Sequence, residues 1–149
     1  MSQESTLDKV KKLREITGVG FKDCKIAIDE NAGDIDKSIE YLRKKGIAKA
    51  NKRMDRTAAD GLVSISEKEN NFSIIEINSE TDFVAKNSQF IKFVEEVSNL
   101  TLSNSGKMDN ILNSKMVNQK TVKENLIDLI SKIGEKITLR RSDYIPSEK

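Results

Sequence analysis

The residue types in this chain exclude the commonest catalytic and metal-binding arrangements. Among 149 residues there is no histidine and one cysteine, Cys24. Ser-His-Asp and Cys-His catalysis, Cys/His zinc sites and an intrachain disulfide framework are therefore excluded. No paired-carboxylate spacing or nucleophile elbow is visible. Cys24 lies on an apolar helical stripe, so we expect a buried small hydrophobe rather than a reactive thiol. These patterns predict no enzyme, no metal site and no cofactor.

A segment that follows an apolar strand pattern is a candidate binding element. It runs Thr81-Asp82-Phe83-Val84-Ala85-Lys86-Asn87, and a strand end that leads into a helix is a frequent place for a site. An acid beside a large apolar residue at a rigid strand exit could enter a pocket on a partner. Alternatively, Asp82 caps a turn and Phe83 starts the core of the next helix. The pattern alone does not decide between these readings.

Two further features each have a plain structural alternative. In Thr17-Gly18-Val19-Gly20-Phe21 the glycines could project Val19 and Phe21 outward, but composition favours a tight turn with Phe21 in the core. The stretch 43–56 is basic and could bind an acidic partner or nucleic acid. It lacks stacking aromatic residues apart from the nearby Tyr41, and the net charge of the whole chain is only +2. We therefore favour a solvated linker and expect no specific nucleic-acid partner.

Hydrophobic periodicity divides the chain into a helical part and an α+β part. Leu7, Val10, Leu13 and Ile16 recur at three-residue steps, which predicts a first helix that ends at Gly18. The second helix is expected to end by Gly33, and the third to begin after an Asp34 cap and end at Gly46. The three-helix module is thus placed at residues 1–46 and a basic linker at 47–58.

Residues 59–149 are expected to form an α+β subdomain. Residues 61–67 and 72–79 are rich in β-branched residues and flank a polar turn, so they predict a hairpin. A helix with Phe90 and Phe93 follows, and 102–117 is left as a loop with a possible short helix. Thr121 and Glu124 form a capping box that opens a helix closed by Gly134, and a last strand begins near Ile137. A three-stranded antiparallel sheet has two exposed edges, which favours missing sequence or dimerisation.

Targeting signals are not visible. No apolar run approaches the ~20 residues of a membrane span, and the N-terminal residues have no apolar signal core. With one cysteine, the chain is expected to be soluble in a reducing compartment, the cytoplasm.

Four sequence blocks resemble the elongation factor Ts family. They read LREITGVGFKDCKIAIDENAGDIDKSIEYLRKKG, AADG, NSETDFVAKNSQF and KIGEKITLRR, and the resemblance extends over residues 6–142. The TDFVAKN and TG-x-G…DCK blocks are highly specific in this order and spacing. The resemblance implies an N-terminal three-helix module similar to ubiquitin-associated domains, followed by one α+β core subdomain.

The resemblance also implies a function without bond chemistry. The family promotes release of GDP from the translational GTPase elongation factor Tu. By position, Asp82 and Phe83, with Thr81 before them, match the wedge that enters the GTPase domain near its Mg²⁺ and phosphate site. Other matches to contact positions on the same domain lie in both parts of the chain: Arg14, Phe21, Lys25, Ile133 and Gly134.

Two departures from the family leave alternatives open. Lys22 stands where many members have an apolar residue, and longer members continue into a second core subdomain. Short members act as homodimers, which suits an exposed sheet edge, but a truncated chain would look the same. The competing functions are a non-catalytic module that sequesters the GTPase or another partner, and a nucleic-acid binder that uses residues 43–56.

Overall fold

The computed structural model describes residues 4–53 and 55–148, apart from the side chains of residues 49–51. The chain divides into a helical unit that ends at Lys52 and an α+β unit that begins at Arg53. In the described residues the helices are α1 Thr6–Thr17, α2 Phe21–Glu30, α3 Ile35–Lys52, α4 Asp82–Ala85, α5 Ser88–Ser103, α6 Met108–Asn113 and α7 Val122–Ile133. The strands are β1 Asp60–Lys68, β2 Asn71–Ser79 and β3 Ile137–Ile145. The predicted α+β class, with three helices before an antiparallel sheet, is confirmed.

The helical unit is built around a small apolar core. Its helix ends are fixed locally: Gly18 adopts the left-handed conformation with φ 67°, and the Asp34 carboxylate accepts a hydrogen bond from the Lys37 amide at 2.9 Å. Of the predicted first stripe, Leu7 and Ile16 are exposed, so only its centre is core. The buried cluster comprises Val10, Leu13, Cys24, Ala27, Ile28 and Leu42.

The expectation that Gly46 ends the third helix is wrong. Helix α3 continues to Lys52 and includes the first half of the predicted linker. Gly46 is buried within the helix. A helical glycine costs about 1 kcal/mol relative to alanine, and packing of the surrounding helix outweighs so small a cost. The basic stretch is therefore helical at its start, although the side chain of Lys49 lies outside the described residues.

The hairpin turn is tighter than the predicted four-residue loop. Lys68 pairs with Asn71, so the turn consists of Glu69 and Asn70, with φ of 54° and 64°. Positive φ at both central residues is typical of a type I′ turn, whose twist suits a two-residue hairpin.

The sheet has the order β1-β2-β3, antiparallel throughout. Helix α5 packs on β1 and β2, where it buries Phe90, Phe93, Val94 and Val97. The opposite surface, which we call the outer face, carries exposed apolar side chains. They are Val63, Ile65, Phe72, Ile74 and Ile145, and cross-strand pairs such as Ile65–Ile74 and Phe72–Ile145 place them together.

The region left ambiguous by the sequence contains a helix end and a short helix. Helix α5 extends to Ser103, and α6 buries Ile111 against its neighbours. At the N-terminus of α7 the Thr121 hydroxyl oxygen accepts from the Glu124 amide at 3.1 Å, which is the Thr121 half of the predicted capping box. Gly134 closes the helix as predicted, with φ 83°.

Candidate functional site

The segment 81–87 folds into one helical turn between a strand and a long helix. Thr81 is extended and precedes α4. The turn closes when the Asn87 amide donates to the Val84 carbonyl at 2.9 Å. The Asn87 side chain then caps α5 by accepting from the amides of Gln89 and Phe90 at 2.9 and 3.2 Å. Both ends of the turn are therefore attached to regular structure, which presents its residues in a defined direction.

Phe83 is exposed on this turn and does not pack in the core. It leaves 82% of its surface in solvent, whereas its neighbour Val84 leaves 7%. The alternative in which Phe83 starts the next core is therefore wrong, because Val84 occupies the buried position. Asp82 is also exposed and forms an ion pair with Lys86 at 3.7 Å. A surface pair of this kind stabilises by less than about 1 kcal/mol, so the Asp82 carboxylate remains available to a partner.

Thr81 is held by Glu135, a residue 54 positions later in the chain. Its amide donates to Glu135 Oε1 at 3.0 Å and its hydroxyl donates to Glu135 Oε2 at 2.8 Å. Ser79 Oγ donates to the Thr81 carbonyl at 2.8 Å. Glu135 immediately follows Gly134, the left-handed cap of α7. The structure thus brings Thr81, Asp82 and Phe83 to the same end of the sheet as Ile133 and Gly134.

Side chains of the basic stretch contribute to this end of the sheet. Arg56 pairs with Glu80 at 3.6 Å, and the Arg56 carbonyl accepts from Lys136 Nζ at 3.0 Å. Arg53 donates to the Ile130 carbonyl at 3.3 Å. These two arginines therefore have contacts inside the α+β unit and are not merely solvated linker residues.

Glu135 and Glu80 were not singled out from the sequence, and Arg56 was considered only as the last residue of the basic stretch. Glu135 lies inside the KIGEKITLRR block, but its partner is 54 residues away. No local pattern identifies such a contact, because neither propensity nor periodicity encodes it.

The other candidate residues belong to the helical unit. Arg14 is exposed in the last turn of α1. Phe21 begins α2 and is 43% exposed, so it lies outside the buried cluster, contrary to the core reading. Lys25 lies one turn after Phe21 on the same face of α2, where it forms an ion pair with Asp29 at 2.8 Å. The helical unit therefore presents an aromatic ring and two cations.

Groups suited to a metal or a membrane are not found in the part of the chain that the structure describes. Within residues 4–53 and 55–148, no cluster of three or more His, Cys, Asp or Glu side chains could hold a metal ion. None of the helices described there is long and apolar enough to cross a membrane.

Comparison with known proteins shows which family these residues resemble. A family model described as elongation factor TS matches residues 80–149, which include Thr81 to Phe83 and Glu135. The elongation factor Ts of Malacoplasma penetrans (strain HF-2) is 45% identical over 142 residues, which are 95% of this chain and 48% of that protein. The chain is therefore similar to elongation factor Ts over nearly its whole length, and residues 80–149 match the model of that family. It spans about half the length of the elongation factor Ts that it matches.

Proposed function

We propose that this protein promotes release of GDP from elongation factor Tu, so that GTP can bind. The observation that carries the proposal is Phe83, an aromatic ring that is 82% exposed on a turn fixed at both ends. Most exposed hydrophobic residues need no explanation, but this one lies in a segment that matches the family. The match to elongation factor Ts supports elongation factor Tu as the partner, and the exposed ring supports Phe83 as the residue that touches it.

In this mechanism Phe83 enters the GTPase domain as a wedge. The ring inserts between helices of that domain, and Asp82 hydrogen-bonds beside it. Their insertion shifts the phosphate-binding loop and displaces Mg²⁺, which removes charge compensation from the bound diphosphate. No covalent bond is made or broken, so the protein is not an enzyme in the usual sense and needs no cofactor of its own.

The size of the effect follows from burial and linkage. Fully burying a phenylalanine is worth about 1.5–3 kcal/mol, and 1.4 kcal/mol corresponds to a factor of ten. If the ring is buried only when the nucleotide site is distorted, Phe83 alone weakens GDP binding roughly ten- to hundredfold. By reciprocity, GDP weakens binding of the factor equally.

The helical unit is proposed to grip the same GTPase domain. Phe21 and Lys25 share one face of α2 and Arg14 is exposed on α1, so an apolar and a cationic contact are available. This grip holds the factor on its partner, whereas Phe83 perturbs the nucleotide. Such a role in translation elongation places the protein in the cytoplasm.

Sequestration of the GTPase is the competing function. The deciding experiment measures release of a fluorescent GDP analogue from bacterial elongation factor Tu with this protein in trace amounts. An exchange factor turns over and accelerates release at substoichiometric dose. A sequestering module binds without turnover, and that result would reject the exchange function.

A homodimer is also proposed, through the exposed edge of the sheet. The edge strand β1 carries Ile65, 68% exposed, which continues into the apolar outer face. Unpaired edges and apolar faces of this kind favour association with another chain.

RNA binding by residues 43–56 is less well supported than exchange. Arg53 and Arg56 are engaged within the α+β unit. Lys45 pairs with Asp23 at 3.6 Å and lies over the Tyr41 ring. These contacts favour a structural role for Lys45, Arg53 and Arg56.

A further inference from the structure

The contact between Thr81 and Glu135 restrains the residue that precedes α4, the turn that carries Phe83. The two Glu135 oxygens accept from the amide and the hydroxyl of one residue, at 3.0 and 2.8 Å. Hydrogen bonds to an ionised carboxylate are stronger than those between neutral groups. Because Ser79 Oγ also holds the Thr81 carbonyl at 2.8 Å, all the polar groups of Thr81 are engaged.

The position of Thr81 in the chain gives this contact its consequence. Thr81 immediately precedes α4, and Phe83 follows two residues later. With a single helical turn, the direction of the Phe83 ring depends on how the backbone enters that turn. Without Glu135, the amide and hydroxyl of Thr81 would lose their acceptors, and the entry to α4 would be held by the Ser79 hydrogen bond and the packing of Val84.

The contact also connects two separate candidate contact regions. Glu135 directly follows Ile133 and Gly134, the left-handed cap that ends α7. The ion pair between Arg56 and Glu80 is longer, at 3.6 Å, and Arg56 is largely exposed, so it restrains the turn less.

We propose that Glu135 is a positioning residue: it clamps Thr81 so that the Phe83 ring is held ready to insert, and it couples the wedge to the end of α7. This inference rests on the proposed function. Its physical basis is preorganisation, since a ring already held in its productive orientation loses less conformational freedom on insertion.

The test uses the full chain with the variants Glu135→Ala, Glu135→Gln and Thr81→Val. The control is Glu95→Ala, which removes an exposed carboxylate from α5. Hydrogen exchange of the Thr81 amide, measured by NMR, reports the clamp without the partner. GDP release at increasing factor concentration separates the maximal rate from the half-saturating concentration.

For Glu135→Ala we expect the Thr81 amide to exchange about tenfold faster or more. The maximal release rate should fall about tenfold, with a half-saturating concentration changed much less, because the gripping residues are intact. Glu135→Gln should recover part of the rate, since its carbonyl still accepts one hydrogen bond. Adding Thr81→Val to Glu135→Ala should lower the rate little further.

Two results would overturn the inference, and they are distinguishable. Suppose that Phe83→Ala slows GDP release from the GTPase, whereas Glu135→Ala and Thr81→Val promote it at the wild-type rate. The proposed wedge then stands, but the contact between Thr81 and Glu135 does not position it. If Phe83→Ala itself has no effect, the proposed wedge fails and the role of Glu135 fails with it. If Glu135→Ala does not fold, the maximal GDP release rates with Glu135→Gln and Thr81→Val test the role of Glu135 instead.

Discussion

Phe83 and Val84 are neighbours on the single turn of α4, yet Phe83 exposes 82% of its surface and Val84 exposes 7%. Val84 attaches the turn to the α+β unit, and Phe83 is left in solvent without a packing role. The two positions therefore separate stability from the proposed partner contact. A change at one should affect mainly folding, and a change at the other mainly nucleotide release.

Phe83→Ala should impair exchange and leave folding intact. Because the ring is exposed, the free energy of unfolding should change by no more than about 0.5 kcal/mol. Release of a fluorescent GDP analogue should slow roughly ten- to hundredfold, and binding to the GDP-bound GTPase should weaken less. Exchange equal to that of the wild type would contradict the wedge assignment.

Val84→Ala is the matched control for that variant. Loss of two buried methyl groups should lower the free energy of unfolding by about 1–3 kcal/mol. At a temperature where the variant is folded, its exchange rate should stay close to that of the wild type. If the folded Val84→Ala variant slowed release as strongly as Phe83→Ala, exchange would depend on the packing of α4 as a whole and not on the Phe83 ring in particular.

Gly61 and Gly20 should differ sharply in their tolerance of alanine. Gly61 has φ 134°, and an added Cβ would overlap the Ile77 carbonyl oxygen on the neighbouring strand. Gly20 has φ −61° and nothing within 4 Å of such an atom. Gly61→Ala should therefore cost at least about 1–3 kcal/mol, and Gly20→Ala about 1 kcal/mol or less, as a weaker N-cap. If Gly61→Ala and Gly20→Ala unfolded at the same urea concentration, the close approach of β2 to Gly61 would not restrict this position.

Local interactions explain most of what the sequence predicted about the fold. Asp34, Thr121 and Gly134 cap helices through contacts within a few residues, so their types and spacing are sufficient. The hairpin is likewise local. Gly46 shows the limit, since its helix-breaking tendency is small and packing elsewhere in the helical unit prevails. Leu7 and Ile16 fit the periodicity, but a short three-helix core does not reach them.

The candidate site was less predictable than the fold. The TDFVAKN block identified the segment, but pattern could not say whether Phe83 faces core or solvent. That depends on whether Val84 or Phe83 meets the sheet, which is a tertiary property. The contact between Thr81 and Glu135 joins residues 54 apart, so only the assembled fold reveals it.

Ile65→Lys tests the proposed homodimer. Ile65 lies on edge strand β1 and is 68% exposed on the outer face, so a lysine there should oppose either edge pairing or face-to-face packing. We expect sedimentation to show a dimer for the wild type and a monomer for this variant. Val117→Lys, at a residue 86% exposed outside the sheet, should leave the mass unchanged. A wild-type monomer at every concentration would reject the dimer.

Cys24 should make the helical unit less stable at alkaline pH. The side chain is fully buried, and this burial raises the pKa of its thiol above the ordinary value of 9.0. Above that pH the unfolded chain releases the proton while the folded chain keeps it. Stability contributed by the neutral thiol is therefore present below about pH 9 and declines as the pH rises toward the folded pKa.

The measurement compares urea unfolding of wild type and Cys24→Ala, followed by helical circular dichroism, from neutral pH to about pH 10. Alanine has no titrating group, and its smaller size lowers stability by an amount that does not depend on pH. Lysine and tyrosine titrations are common to both proteins and cancel in the difference. The advantage of the wild type should thus narrow above about pH 9. A difference that stayed constant over this range would show that the folded thiol ionises as readily as the unfolded one.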